Sequence, residues 1–293
     1  MKNIAICYSE HAIKVSDSYC SGPSNQAYNS SRSTSSTQTA VTSIYKVKLS
    51  NEKQFLIRVS WCNQAFSVCV SDYPFSNTKL SRNFKTLRRQ RGSENFESGG
   101  VRADVFWDLR RARYDSGPEP VAGYYVAVLV NSELSLMLGD MEQELLEVKQ
   151  CISDIRVAEY SLIWRGERFS GDGEYSTRAK FSEAGACHDI LIKFCGEDGT
   201  IPFLSVCVDK KSVIEVKRLQ WNFRGNQSIF LDGLLIDLMW DVHDWLFNPN
   251  SGNAVFLFRT RRGLDSRLWL EHNNFDQQKL PFSFLIFACK NPD

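Results

Sequence analysis

The sequence has almost no net charge, no long apolar run and none of the short motifs that carry the commoner catalytic chemistries. Its 35 Lys and Arg stand against 34 Asp and Glu, a formal charge of +1. That removes any general electrostatic attraction to nucleic acid or an anionic membrane, which needs a charge excess or a segregated patch. No run approaches the roughly 20 apolar residues of a membrane helix, and the apolar run in Met1–Lys14 is too short for a secretion signal. There is no G-x-x-x-x-G-K-[ST], no H-E-x-x-H, no G-x-S-x-G and no cysteine pair at zinc spacing. The nine cysteines are an odd number scattered through strand-like runs such as Ser67-Val68-Cys69-Val70. They read as reduced, buried small side chains of a cytoplasmic or nuclear protein.

What is present is apolar content of 43%, enough to bury a core in a 293-residue chain. Half of Ser16–Thr39 is Ser or Thr, so that segment buries too little to offset its ordering entropy. Residues 1–42 are therefore expected to be a disordered tail. From Ser43 onward, short runs rich in β-branched and aromatic residues alternate with turn signals, as in Phe55–Trp61 and Val101–Leu109. In the second run Val101, Ala103, Val105 and Trp107 share the face expected to turn inward. One stretch is helical in pattern. After the N-cap Asp140, the residues Met141, Leu145, Val148, Ile152 and Ile155 recur at spacings of four and three, predicting an amphipathic helix over 140–155. Val213–Phe223 changes apolar parity near Lys217-Arg218, as a bulged strand would.

Sliding the chain by 133 residues lays Arg91-Gly92 on Arg224-Gly225, Asp104 on Asp237 and Trp107-Asp108 on Trp240-Asp241 without a gap. Ile57, Val59 and Trp61 fall on Ile190, Ile192 and Phe194 at the same offset. The expectation is an all-β, mainly antiparallel protein of two tandem barrel- or sandwich-like units, 43–168 and 169–293, with the helix at their junction.

Candidate chemistry concentrates in Arg224–Phe247. His243 between Asp241 and Asp244 invites an acid/base or metal role. On a strand, however, Asp237 and Asp241 lie about 13 Å apart at roughly 3.3 Å per residue, too far to share one ion. A cross-strand Arg or Lys for each is the plainer reading. Cys187-His188-Asp189 likewise places no nucleophile within reach of its base. Val216–Gly225 interleaves cations with aromatics as a stacking groove would. Trp221 and Phe223 share Leu219's face, though, and read as core, with Arg218 and Arg224 on the solvent face. Lys85–Arg91 reads as a nuclear-import patch or a charge-protected edge strand. The end of this segment, His243–Phe247, has Arg110-Arg-Ala-Arg-Tyr114 as its counterpart in the first unit, so a function specific to the second unit is sought there. Arg218, Arg224, His243, Asp244 and Trp245 are thus the candidate binding surface, with no catalytic, cofactor or metal residue assigned.

Longer motifs carry a family resemblance. Phe106-Trp-Asp-Leu109, Gly117-Pro-Glu-Pro120, Gly123-Tyr-Tyr-Val-Ala-Val128, Phe223-Arg-Gly-Asn-Gln227 and Trp240-Asp-Val-His-Asp-Trp-Leu-Phe247 resemble the plant family catalogued as domain of unknown function 868. Arg110-Arg111 and Gln220 depart from its pattern. The resemblance implies a plant protein and supplies no activity, cofactor or site residue. The expected function is a non-catalytic intracellular binding or scaffold protein with a protein or small-molecule partner. The alternative is a carrier of a lipid-like ligand in a β-barrel cavity, with an enzyme using His188 or His243 behind both.

Overall fold

A computed structural model of the chain describes residues 36–62, 65–73, 85–98, 101–141, 156–171, 173–182, 184–195, 203–248, 250–261 and 281–290. Residues 142–155 of the expected helix and 1–35 of the expected tail lie outside these residues, whereas Thr37–Thr42, expected in the tail, belong to the first strand, Thr37–Lys48. Nearly everything described is strand, because period-two apolar runs bounded by Gly, Asn and Asp turns can bury one face only in a sheet.

The strands of the first half are β1 (Thr37–Lys48), β2 (Gln54–Cys62), β3 (Ala65–Asp72), β4 (Lys85–Leu87), β5 (Arg91–Ser98) and β6 (Val101–Asp108). After them come the short β7 (Arg113–Tyr114) and β8 (Pro120–Ala122), then β9 (Tyr125–Val130), β10 (Glu133–Gly139) and the long β11 (Glu159–Ser170). The second half contains β12 (Glu174–Lys180), β13 (Cys187–Cys195), β14 (Phe203–Val208), β15 (Lys211–Val216), β16 (Arg224–Leu231) and β17 (Leu234–Asp241). A five-residue helix α1 (His243–Phe247), β18 (Asn253–Thr260) and β19 (Ser283–Cys289) complete it.

Nine strands form one sheet in the order β16-β17-β18-β19-β11-β1-β2-β3-β4, and two four-stranded sheets have the orders β10-β9-β6-β5 and β12-β13-β14-β15. None closes into a barrel, so the barrel form of the expectation gives way to packed sheets. Neighbouring strands are antiparallel except β11 and β19, which run parallel.

Both cores lie on the same face of the nine-stranded sheet. Val41 and Val47 of β1 are buried in the first core, and the register sets Glu167 opposite Val41. Across β11, Glu167 lies beside Ile286 and Arg165 beside Phe284, both in the second core. Directly paired residues share a face. The first core is therefore closed by β6, β9 and β10, whose Val105, Trp107, Val126, Val128 and Leu136 meet Ile57, Trp61 and Phe66. The second is closed by β12–β15, whose Tyr175, Ile190, Ile192, Leu204 and Ile214 meet Phe256, Phe258, Phe284 and Ile286. Val101, Ala103, Val105 and Trp107 are buried as their alternation requires.

The two halves also share local detail. Gly92 pairs with Trp107 and Gly225 with Trp240. In each case a side chain on the glycine would collide with the indole. Each indole Nε1 then donates to a carbonyl three residues before its glycine, Trp107 to Arg89 at 2.8 Å and Trp240 to Asn222 at 3.0 Å.

Candidate functional site

The segment named from sequence does not form one long strand. β15 ends at Val216, and Arg218 takes a positive φ of 52° that starts a turn. Trp221 N–H donates to Arg218 O at 2.9 Å, and Asn222 Nδ2 donates to Lys217 O at 2.8 Å. A turn reverses parity as a bulge would, which is why the apolar pattern misled. Leu219 is buried and anchors the turn, whereas Trp221 is 78% exposed rather than in the core.

After β17 the chain leaves the sheet. Val242 is buried, and the Asp241 carboxylate accepts both His243 N–H at 3.1 Å and Arg224 Nε at 2.8 Å. Burial alone would push the Asp241 carboxyl upward, but these bonds and the Arg224 charge hold it below the ordinary carboxylate value. The cross-strand partners expected for Asp237 and Asp241 are present, since Arg261 Nε lies 2.6 Å from Asp237 and Arg224 Nε lies 2.8 Å from Asp241.

The five named residues divide. Trp245 is buried, stacked on Phe194 with centroids 4.9 Å apart, and Lys290 Nζ donates to its carbonyl at 2.6 Å. Asp244 accepts Asn253 N–H at 2.8 Å and so ties α1 to β18. These two hold the helix in place and offer little surface. Arg218, Arg224 and His243 are exposed. His243 joins a small aromatic group, with its ring centroid 5.0 Å from Phe223 and 4.9 Å from Phe247, which is 56% exposed. The Arg224 guanidinium lies 5.6 Å from the Phe223 ring centroid. Sequence reasoning missed Trp221 as a surface residue, because its parity with Leu219 argued for burial, and the signal against it was the turn at Arg218. Phe223 is half-buried against the second core.

A second feature is a cleft of about 550 Å³ between the β7–β8 segment and strands β12 and β13, floored by β11. At inward positions beside Val41, Phe284 and Ile286, β11 carries Arg165 and Glu167. Arg165 lies 2.7 Å from Glu119 and 2.8 Å from Glu167, and Gln38 Nε2 and Thr177 Oγ1 donate to Glu167 at 2.8 and 2.5 Å. Ser116, Asp115, Arg178, Asp189 and Lys210 line the walls. Nearby, burial and the Glu119 charge push the Tyr45 hydroxyl up to about 12.

His188 is buried but not among apolar neighbours alone. Its Nδ1 lies 2.6 Å from Asp209 and its Nε2 2.9 Å from Asp232, each on a positive-φ hairpin turn. The Asp209 hydrogen bond leads the effects that raise the imidazole above its ordinary value. Both ring nitrogens are occupied by carboxylates, an arrangement that suits a fixed imidazolium better than a base awaiting a proton. Among the described residues, no cysteine or serine side chain is hydrogen-bonded to its ring. Among the described residues, no group of three or more His, Cys, Asp or Glu is placed to hold a metal ion, and no helix is long and apolar enough to cross a membrane.

With this geometry in hand, the comparisons are informative about family alone. The chain belongs to the family described as plant protein of unknown function (DUF868), whose model matches residues 36–290. No curated protein and no solved structure matches it.

Proposed function

We propose that this plant protein is a non-catalytic intracellular binding or scaffold protein whose contact surface is the aromatic end of its second half. The observation that carries the reading is the placement of Trp221, 78% exposed, on a turn pinned by buried Leu219, two residues along the chain from Phe223, whose ring packs with His243 and through it with the exposed Phe247. Exposed aromatic side chains on a rigid support lose little entropy on contact and are the usual anchors of protein interfaces. Arg224 and Arg218 add charge at the rim. Free thiols at Cys62, Cys69, Cys187, Cys195, Cys207 and Cys289 suit a reducing compartment, cytoplasmic or nuclear.

Two tandem units of related origin are part of this reading. Its support is the recurrence of the Arg-Gly strand start, the glycine-covering Trp and the indole-to-carbonyl bond at one offset. On that view α1 is an addition to the second unit, where the first has Arg110-Arg111.

The test is paired capture from plant extract with the wild-type chain and with Trp221→Ala/Phe247→Ala. Partners recovered by the first and lost by the second are expected. Identical recovery from both would sink the assignment of this surface. A carrier reading survives in altered form, because the cleft over Arg165 and Glu167 is polar and suits a small polar ligand rather than a lipid.

A further inference from the structure

Edge strands present unpaired N–H and C=O groups, and folded proteins protect them with charge, proline, register shifts or short length. Among the described residues, the three larger sheets have six edge strands, β16, β4, β10, β5, β12 and β15. Five are protected. β4 is three residues long. β5 carries Glu94 and Glu97. β10 begins with Glu133 and its register shifts between Leu134 and Leu136. β12 carries Glu174, Arg178 and Lys180. β15 carries Lys211 and Glu215 beside a shift in its partner between Val206 and Cys207.

β16 has none of these devices after its first residue. Gly225-Asn-Gln-Ser-Ile-Phe-Leu231 contains no charge and no proline, and it pairs with β17 over its whole length without a shift. The contrast with β5 is position by position. Both strands begin Arg-Gly with the glycine under a tryptophan, but where β5 has Glu94 and Glu97, β16 has Gln227 and Phe230. Phe230 is 72% exposed, and Asn226, Gln227 and Ser228 are exposed as well.

The direction of the free backbone groups follows from the hairpin. β16 and β17 are joined by Asp232-Gly233, both at positive φ, a two-residue turn that closes on the hydrogen-bonded pair Leu231 and Leu234. Hydrogen bonds to β17 therefore fall on the odd-numbered residues of β16. The N–H and C=O groups of Asn226, Ser228 and Phe230 point to the open side.

We infer that β16 is the interface of a homodimer, in which two copies pair this strand antiparallel across a two-fold axis and continue the nine-stranded sheet from one protomer into the other. The occupant is a second copy because the strand complements itself. An axis through Gln227 opposes each Asn226 to the other copy's Ser228, amide against hydroxyl. It opposes each Gly225 to an Ile229, and each Arg224 to a Phe230, a cation over an exposed ring. Two such Arg–Phe pairs form, as an isologous interface requires. The net charge of +1 gives the copies no long-range repulsion to overcome.

The experiment is sedimentation velocity on the full chain over a concentration series, with Gln227→Glu/Phe230→Glu restoring the two β5 charges. Wild type is expected to shift from monomer to dimer with concentration. The double variant is expected to need at least tenfold more protein, with an unchanged circular dichroism spectrum and melting temperature. A second measurement uses Gln227→Cys, which meets its own copy at the axis and should give a reducible dimer on mild oxidation well above the wild-type background. A wild type that stays monomeric throughout overturns the inference and leaves the edge to a foreign strand. A dimer indifferent to both substitutions overturns it in favour of another surface. Neither variant touches Trp221 or Phe247, so this test and the capture experiment fail independently.

Discussion

At the scale of single residues, His188 has the most specific environment. Hydrogen bonding to Asp209 leads the effects that raise it, while the same contacts lower Asp209 and Asp232. The raised imidazole contributes stability that is complete below its unfolded value, about 6.5, and is lost as pH rises through the higher folded value. The lowered carboxylates contribute above their unfolded value, about 3.9, and lose it as pH falls through the folded one. The urea midpoint should therefore be highest between these ranges and decline on the alkaline side. His188→Gln should lower the mildly acidic midpoint and flatten that decline, and a wild-type midpoint flat from pH 5 to 9 would contradict the clamp. None of this was legible in the sequence, where Cys187-His188-Asp189 shows only that no nucleophile lies within reach of its base. Asp209 comes from the turn after the neighbouring strand β14, and Asp232 from a turn of the nine-stranded sheet that only the packing of two sheets brings to His188. The ion pairs of Asp237 and Asp241 were legible in kind, because alternation on a strand forbids a shared site and leaves cross-strand pairing.

At the scale of elements, the repeated hairpin explains why two glycines sit in strand interiors where they would ordinarily weaken a strand. A methyl at Gly92 would lie 2.8 Å from Trp107 Cζ2, and one at Gly225 would meet Trp240 Cζ2 closer still. Gly92→Ala and Gly225→Ala should each cost about 1–3 kcal/mol by overpacking, the second more than the first. Denaturant unfolding with tryptophan fluorescence measures both, and a neutral Gly225→Ala would mean that the indole moves aside freely. Strands were readable wherever period-two alternation was unbroken, as in Val101–Asp108. They were misread at Val213–Phe223, because parity alone does not separate a bulge from a turn. The helix His243–Phe247 was hidden because five residues are too few to display a helical period.

For the molecule as a whole, β11 decides the behaviour. It pairs with β1 on one side and β19 on the other, so both cores rest on one continuous sheet. Unfolding should be a single transition, with far-ultraviolet circular dichroism and fluorescence coincident in urea, and two resolved steps would show that the halves melt separately. The matching glycine–tryptophan pairs at Gly92 and Gly225 were visible in the sequence as an offset of 133 residues. The joining of the two cores through a parallel pair was not, since a parallel neighbour can lie at any distance along the chain and leaves no local pattern.

That strand also bears on time. Thr42 meets Gly166, and Gly166 meets Leu285, so each flank of β11 joins residues more than a hundred positions apart. Such long closures must be made before their contacts reward them, and chains dominated by non-local pairing acquire structure in milliseconds to seconds rather than microseconds. The hairpins on either side have no such delay. The central strand that joins the two cores is thus the slowest part of the protein to assemble, and the interval before it is seated is when a newly made chain is most exposed to aggregation.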